Sequence, residues 1–167
     1  KREHAENRLL LSLSHVTSRL LAGKDPAALC GEIATSITAA SSFPRAAVFL
    51  GGEDRSLRLS GSNGFSPVEI ARLGELSSTW TIEKIKEVCK GGTQIGNNSF
   101  WIPLDDTEIV MIPLASWRGS QLGCLCLGQA ADAPRMDEFE IVKLEVLAAD
   151  LAVTIENTRL HHQDRKS

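Results

Sequence analysis

The chain has 167 residues, of which 43% are hydrophobic, and its 18 basic and 21 acidic side chains give a net charge of −3. This length suits one domain with a real core, and the charge balance predicts no nucleic-acid surface. The longest apolar runs are far shorter than the roughly 20 residues that span a bilayer. No signal peptide opens the chain, and both ends look like cuts through longer helices, so we expect part of a larger protein.

Four cysteines are present, and two of them, Cys124 and Cys126, are separated by a single residue. Neither has a CxxC partner elsewhere, so the spacing fits neither a zinc site nor a disulfide framework. We therefore expect reduced cysteines that pack in the core of a cytoplasmic protein, with no metal site and no cofactor.

The first helix is predicted from about Glu3 to Ala22, and Gly23 ends it. Its apolar seam repeats with the 4-3-4 spacing of a coiled coil. This spacing predicts a helix that packs against another helix. The seam consists of Leu9, Leu13, Val16 and Leu20.

A second helix begins after the capping residue Asp25, with Pro26 at the first helical position, where proline is favoured. It ends before Ser42, and a short strand follows over Arg45–Leu50. The partner of this strand is predicted over Ser56–Ser60, where leucines alternate with polar residues. That pattern is typical of a half-exposed strand at the edge of a sheet.

Ser66 and Glu69 have the spacing of a capping box, and Pro67 occupies the first helical position between them. This arrangement predicts the start of a short helix. We expect that helix to end at about Leu73.

Thr81 is a plausible cap for a second short helix, which two glycines end after Cys89. A brief strand is predicted next, over residues 93–95. Residues 96–106 are then predicted to form a loop. We expect Phe100 and Trp101 to be exposed in it.

Glu108–Ser116 and Gln121–Gln129 are apolar runs joined by a short connection that contains glycine, which predicts a β-hairpin. Both faces of each run are apolar, as in strands covered on both sides. Strict alternation would place Leu122 on the same face as Cys124. Because Pro113 cannot donate a hydrogen bond to a ladder, we expect a bulge or an unpaired position there.

The last helix is predicted over residues 136–164, with Asp137 as its cap and Glu140 completing a capping box. It carries two apolar stripes, whereas a monomeric domain needs only one. We expect the second stripe to pack on a partner outside the domain, and the alternative is a helix buried within its own domain. The second stripe consists of Phe139, Val142, Val146, Ala149 and Val153.

The order of these elements resembles a GAF domain, a small sensory module of bacterial kinases and regulators. Three stretches carry the resemblance: MIPLASWRGSQLGCLCLG looks like the central hairpin, DEFEIVKLEVLAADLAVTIENTRL like the C-terminal helix, and ENRLLLSLSHVTSRLLAGKDPAALCGEIA like the paired N-terminal helices. The resemblance implies a single α+β domain over residues 1–167. In such a domain a six-stranded antiparallel sheet has the terminal helices on one face and a ligand pocket on the other.

The resemblance also implies a homodimer formed through the terminal helices, which continue into a fused output domain. This agrees with the second stripe of the last helix. The predicted dimer interface consists of Leu9, Leu13, Val16, Leu20, Val142, Val146, Ala149 and Val153.

Several chemistries found in GAF domains lack their residues here. No Asn-Lys-Phe-Asp-Glu run is present for a cyclic nucleotide, and Lys90 stands where a bilin-binding Cys89 would be followed by His. The Gly-rich signature of free methionine sulfoxide reductases is missing, and Cys124 lies inside a predicted strand. No catalytic pairing of Ser, Cys, His or carboxylates is placed to act. The histidines, which haem would need as ligands, all lie in the terminal helices: His4, His15, His161 and His162.

A pocket, if it forms, is expected to be apolar and aromatic with a few polar anchors, as small-ligand sites are. The alternative is that the same side chains fill the space between sheet and lid and leave no cavity. The predicted walls are Phe65, Ile70, Leu73, Trp80, Ile82, Ile85, Cys89, Phe100, Trp101, Ile109 and Met111. The predicted polar anchors are Arg45, Asn63 and Arg72.

The sequence therefore predicts a cytoplasmic, non-enzymatic sensory domain of a larger signal-transduction protein. It would bind a small molecule, or change conformation, and pass that change to a kinase, a cyclic-dinucleotide enzyme or a transcription activator. A ligand-free dimerisation and relay module is the second hypothesis, and an enzyme of the sulfoxide reductase type is the third. No nucleic-acid or membrane partner is predicted.

Overall fold

The computed structural model of the protein describes residues 26–51, 57–79, 81, 84–104, 107–115, 121–129 and 138–166. The predicted N-terminal helix, with Leu9, Leu13, Val16 and Leu20, lies outside these residues. Among the helices in the described ranges, none is both long and apolar enough to cross a membrane. The helices are α1 (Pro26–Ala40), α2 (Pro67–Ser78), α3 (Ile85–Lys90) and α4 (Glu138–Lys166). The strands are β1 (Arg45–Gly51), β2 (Leu57–Asn63), β3 (Thr93–Ile95), β4 (Ser99–Leu104), β5 (Thr107–Ala115) and β6 (Gln121–Gly128).

The six strands form one antiparallel sheet in the order β2-β1-β6-β5-β4-β3. The predicted hairpin is confirmed as β5 and β6, the two central strands, in which Met111 pairs with Cys126. The predicted edge strand is confirmed as β2, although it runs from Leu57 to Asn63. The predicted α+β fold class is therefore confirmed.

Alternation along the central strands sends apolar side chains to both faces of the sheet. On one face Val110 and Leu125 pack with α1 and α4, and we call this the helix face. On the other face Met111 and Cys124 pack with α2 and α3. We call this second face the lid face, and α2 and α3 together the lid layer. The arrangement agrees with the predicted one, in which helices cover both faces of the sheet.

A bulge in the central hairpin changes which face one leucine occupies. Leu114 pairs with Gly123 but Ala115 pairs with Gln121, so Leu122 is the additional residue on its strand. It packs on the helix face, so the prediction that it shares a face with Cys124 is wrong. The irregularity follows Leu114 and not Pro113, the residue at which it was expected.

Residues 96–106, predicted as a loop, contain strand β4 (Ser99–Leu104), which pairs with both β3 and β5. Phe100 and Trp101 are both half-buried, because each packs on a different face of the sheet. The prediction that they form an exposed pair in a loop is therefore wrong. Two bounds also differ: α2 extends to Ser78, and α3 begins at Ile85.

The edge of the sheet is covered by close contact with a helix. Val48 pairs with Gly61 and Phe49 with Leu59, so β2 also contains a bulge. A Cβ atom at Gly61 would lie 2.3 Å from the carbonyl carbon of Cys30 in α1. Only glycine lets the backbones of the helix and the edge strand approach this closely.

Candidate functional site

The lid face is covered by a second apolar core beneath α2 and α3. Phe49 of β1 and Met111 of β5 are fully buried there, together with Leu73 of α2 and Ile85 of α3. Phe65, Val88 and Phe100 are partly buried around this core, with Leu59. The apolar side chains of Leu73, Ile85 and Val88 in the lid layer thus pack against those of the sheet.

Most of the predicted pocket walls that the structure describes lie together in this core. They are Phe65, Leu73, Ile85, Phe100, Ile109 and Met111. Ile70 and Arg72 are half-buried residues of α2. Trp80, Ile82 and the side chain of Cys89 lie outside the described residues.

Two predicted site residues lie on the opposite face of the sheet. Trp101 packs on the helix-face core, because its neighbour Phe100 occupies the lid face and consecutive strand residues point to opposite sides. Asn63 donates a hydrogen bond from Nδ2 to Oγ1 of Thr38 in α1, at 2.6 Å. Neither residue shares a site with the other predicted walls, so their placement in a pocket on the lid face is corrected.

Arg45, the third predicted polar anchor, links the sheet to the start of α2. Its Nη1 donates to Oε2 of Glu69 at 2.6 Å, and its Nη2 donates to the carbonyl oxygen of Gln129. The guanidinium also lies 5.9 Å from the ring centroid of Phe65, within the range of a cation–π contact. The charge of Arg45 is therefore already engaged within the chain.

Glu69 combines this ion pair with the predicted capping box, which is confirmed. The Ser66 N–H donates to Oε1 of Glu69 at 3.0 Å, and the Glu69 N–H donates to Oγ of Ser66 at 3.2 Å. The hydrogen bond from the Ser66 backbone contributes most to lowering the pKa of Glu69; the Ser66 hydroxyl and Arg45 lower it further, and partial burial opposes them. Glu69 is thus held in its charged form.

The opposite side of the molecule carries an exposed apolar stripe on α4. Ile141, Leu144 and Leu151 are buried against the sheet, but the side chains on the other side of the helix are not. We call this second set the outer stripe. It consists of Phe139, Val142, Val146, Ala149 and Val153, and its four large members are between 36% and 65% exposed.

No protein-family model and no curated protein sequence matches the chain. Among solved structures, one similar fold is the GAF domain of a protein described as a sensor histidine kinase from Pseudomonas syringae pv. tomato. The two superpose with a TM-score of 0.66 at 21% sequence identity, and the match covers 96% of this chain and 92% of that one. The chain has a GAF fold. The GAF domain of a phosphoenolpyruvate-protein phosphotransferase from Coxiella burnetii gives a TM-score of 0.64 at 15% identity, over 95% of this chain and 98% of that one.

One solved structure with this GAF fold is an enzyme. It is the free methionine-R-sulfoxide reductase of Neisseria meningitidis, with a TM-score of 0.60 at 17% identity, over 93% of each chain. In our chain, Cys124 and Cys126 are free and fully buried on the lid face. A hydrogen bond with Cys126, together with burial, raises the pKa of the Cys124 thiol well above its usual value. A protonated, buried thiol is a poor nucleophile.

Within the described ranges, no group of three or more His, Cys, Asp and Glu side chains is placed to hold a metal ion. Arg72 forms an ion pair with Glu75 at 3.4 Å, but their side chains are 42% and 72% exposed. Exposed pairs of this kind contribute little to stability.

Sequence reasoning missed two carboxylates that fasten α4 to the rest of the domain. Glu140, predicted to cap its own helix, accepts hydrogen bonds from the backbone N–H and the hydroxyl of Ser42, at 2.5 and 2.7 Å. Glu145 accepts hydrogen bonds from the connection between β3 and β4. Both contacts join residues more than 45 positions apart, and no local sequence pattern indicates them.

Proposed function

We propose that this chain is a sensory domain of a larger signal-transduction protein. It acts as a homodimer whose terminal helices carry a change in the lid layer to a fused output domain. The observation that carries this proposal is the outer stripe, since α4 buries one apolar side on its own sheet and leaves a second one in solvent. A patch of this kind on a soluble domain marks an interaction surface.

A second copy of the chain is the partner that best fits the outer stripe. From Phe139 to Val153 its residues step by three and four, the heptad spacing with which like helices pair. Two copies related by a two-fold axis would present the same stripe to each other. The seam predicted for residues 9–20 has the same spacing and would extend the interface.

The proposed input is a small molecule bound between the lid layer and the sheet. The core beneath the lid layer is apolar, and Arg45 lies at its margin in an ion pair with Glu69. An anionic group on a ligand would compete with Glu69 for that guanidinium. The output is a kinase, a cyclic-dinucleotide enzyme or a transcription activator in the cytoplasm.

A ligand-free relay module is the second candidate, and the packing of the lid face favours it. The protein's own side chains fully bury Leu73, Ile85 and Met111 there. A thermal-shift screen of metabolites separates the two candidates. Stabilisation by one compound, lost in Arg45→Ala, supports the sensor, whereas no shift with any compound supports the relay.

Catalysis is not part of the proposal. Cys124 is buried and its pKa is raised, so it lacks the thiolate character of a redox-active cysteine. Turnover of free methionine sulfoxide that is lost in Cys124→Ser would contradict this view.

The dimer is tested by sedimentation of matched variants. Val146→Asp places a carboxylate at the middle of the outer stripe, where dimerisation would have to desolvate it. We expect the dissociation constant to rise at least about 100-fold, from the roughly 3 kcal/mol that such desolvation costs. The control is Val68→Asp, the same substitution on α2 at a residue that is 80% exposed. Equal effects of the two substitutions, or a wild-type monomer at all concentrations, would contradict the proposal.

A further inference from the structure

The hairpin formed by β3 and β4 is part of the sheet, and its side chains pack on both the lid-face core and the helix-face core. Phe100 of β4 packs on the lid-face core, which includes Ile85 and is flanked by Val88, both of α3. The next residue, Trp101, packs on the helix-face core, as does Ile95 of β3. One short hairpin is therefore in contact with the lid layer and with the core beneath α4.

The turn of this hairpin is fastened to α4 by one carboxylate. Glu145 accepts a hydrogen bond from the backbone N–H of Asn97 at 3.1 Å, one from the backbone N–H of Asn98, and one from the hydroxyl of Ser99 at 3.0 Å. The Ser99 side chain is fully buried. Three donors that converge on one charged acceptor fix the position of the turn relative to the helix.

Gly96 brings the same turn into contact with α4. Its φ is +61°, in the left-handed region that glycine favours. A Cβ atom at this position would lie 2.7 Å from Cγ2 of Ile141 and 2.9 Å from Oε1 of Glu145. Only a residue without a side chain allows the turn to approach the helix this closely.

At its other end the hairpin is joined directly to the lid layer. Helix α3 ends at Lys90 and β3 begins at Thr93, so two residues separate them. The N–H of Gly91 donates to the carbonyl oxygens of Glu87 and Val88, which fixes the end of the helix. Helix α3 also contacts β4, so the hairpin and the lid layer are joined by packing as well as by the chain.

Glu140 provides a contrast on the same helix. Its carboxylate binds Ser42, which lies between α1 and β1, and the described structure gives it no bond to the lid layer or the hairpin. Glu145 immediately precedes Val146, a member of the outer stripe. Of the two carboxylates, Glu145 is the one whose bonds connect α4 to an element that contacts the lid layer.

We infer that the β3–β4 hairpin transmits displacements of α3 to α4, with Glu145 as the positioning residue that couples them. This inference rests on the proposed function, in which a change in the lid layer reaches the terminal helices. It adds the route of that change: from α3 through the turn at residues 96–98 to the part of α4 next to the outer stripe.

The test compares amide hydrogen exchange in single and double variants of the 167-residue chain. Val88→Ala removes two methyl groups from α3 at the edge of the lid-face core and serves as the perturbation. The readout is the exchange rate of α4 over residues 141–156, divided by the rate of α1 over residues 31–39, which corrects for a general loss of stability. We expect Val88→Ala to raise this ratio at least about twofold. That change corresponds to the lower end of the interaction energies measured between residues of one hydrogen-bond network.

In the Glu145→Gln background we expect Val88→Ala to leave the ratio unchanged, because the amide cannot accept all three hydrogen bonds. In the matched background Glu140→Gln the twofold response should persist. Ser99→Ala, which removes one donor and keeps the Glu145 charge, should reduce the response and provides the test if Glu145→Gln does not fold. An equal response to Val88→Ala in the wild-type, Glu145→Gln and Ser99→Ala backgrounds would overturn the inference.

Sedimentation of the same samples separates this inference from the proposed function. A chain that never dimerises but retains the Glu145-dependent response contradicts the proposed dimer and supports the coupling. A dimer that shows no such response contradicts the coupling alone.

Discussion

The ion pair between Arg45 and Glu69 predicts a measurable dependence of stability on one carboxylate. Glu69→Gln keeps an oxygen that can accept the Ser66 N–H but removes the charge that faces Arg45 at 2.6 Å. Hydrogen bonds to charged groups contribute about 1.5–3 kcal/mol, and the side chains here are 20% and 33% exposed, which reduces that value. We expect a loss of about 1 kcal/mol in the free energy of unfolding at pH 7.

Urea denaturation measures this loss directly, and for a domain of this size it corresponds to a fall of about 2–4 °C in Tm. The matched control is Glu75→Gln on the same helix, whose partner Arg72 is 3.4 Å away and whose side chain is 72% exposed. We expect a change below about 0.5 kcal/mol there. Equal losses in the two variants would refute the reasoning.

The bonds of Glu69 to Ser66 and to Arg45 together predict a direction for the pH dependence. Folding lowers the pKa of Glu69 from its unfolded value of 4.5, so the folded state binds its proton less readily than the unfolded state does. The stabilisation is therefore complete above pH 4.5 and is lost as the pH falls through the lower, folded pKa. The difference between wild type and Glu69→Gln should shrink in acid, and a difference independent of pH would contradict this account.

Two further predictions concern packing. Gly61→Ala would place a methyl group 2.3 Å from the α1 backbone, so we expect the helix to shift. The free energy of unfolding, measured in urea, should fall by about 1–3 kcal/mol. Unchanged stability would contradict this close approach. Cys124 and Cys126 are buried and Cys124 holds its proton, so a thiol reagent at pH 7 should label both only on unfolding, as followed by mass spectrometry. Rapid labelling of either thiol in the native protein would contradict their placement in the core.

Local patterns in the sequence predicted those parts of the fold that depend on neighbouring residues. The capping box of Ser66 and Glu69 acts within one turn, and the structure shows both of its hydrogen bonds. The central hairpin was equally predictable, because two apolar runs around a short connection can pair only with each other at low entropic cost. The outer stripe followed from helical periodicity alone.

The errors concern residues whose position depends on strand register. Leu122 changes face because the additional residue of a bulge reverses the alternation beyond it. Trp101 was grouped with Phe100 because both are aromatic, although neighbours on a strand face opposite layers. Asn63 extends a strand that was predicted to end at Ser60, and the bulge between Leu59 and Gly61 turns it towards α1.

The carboxylate contacts of α4 were beyond sequence reasoning for a different reason. Glu145 and the turn that it binds are 46 to 48 positions apart, and nothing in either stretch specifies the other. Only the fold brings them together. The core beneath the lid layer is an intermediate case, because most of its apolar side chains could be identified but the way they pack together could not.

The outer stripe of α4 is the central element of this account, and cysteine cross-linking at Val146 tests it most directly. In a dimer whose α4 helices run side by side in the same direction, Val146 meets its own counterpart, so Val146→Cys should form an intermolecular disulfide under mild oxidation. Val68→Cys, on the exposed side of α2, is the control. We predict a covalent dimer of twice the 18.1 kDa chain for Val146→Cys and none for Val68→Cys. Equal cross-linking of the two variants, or none in either, would contradict the account.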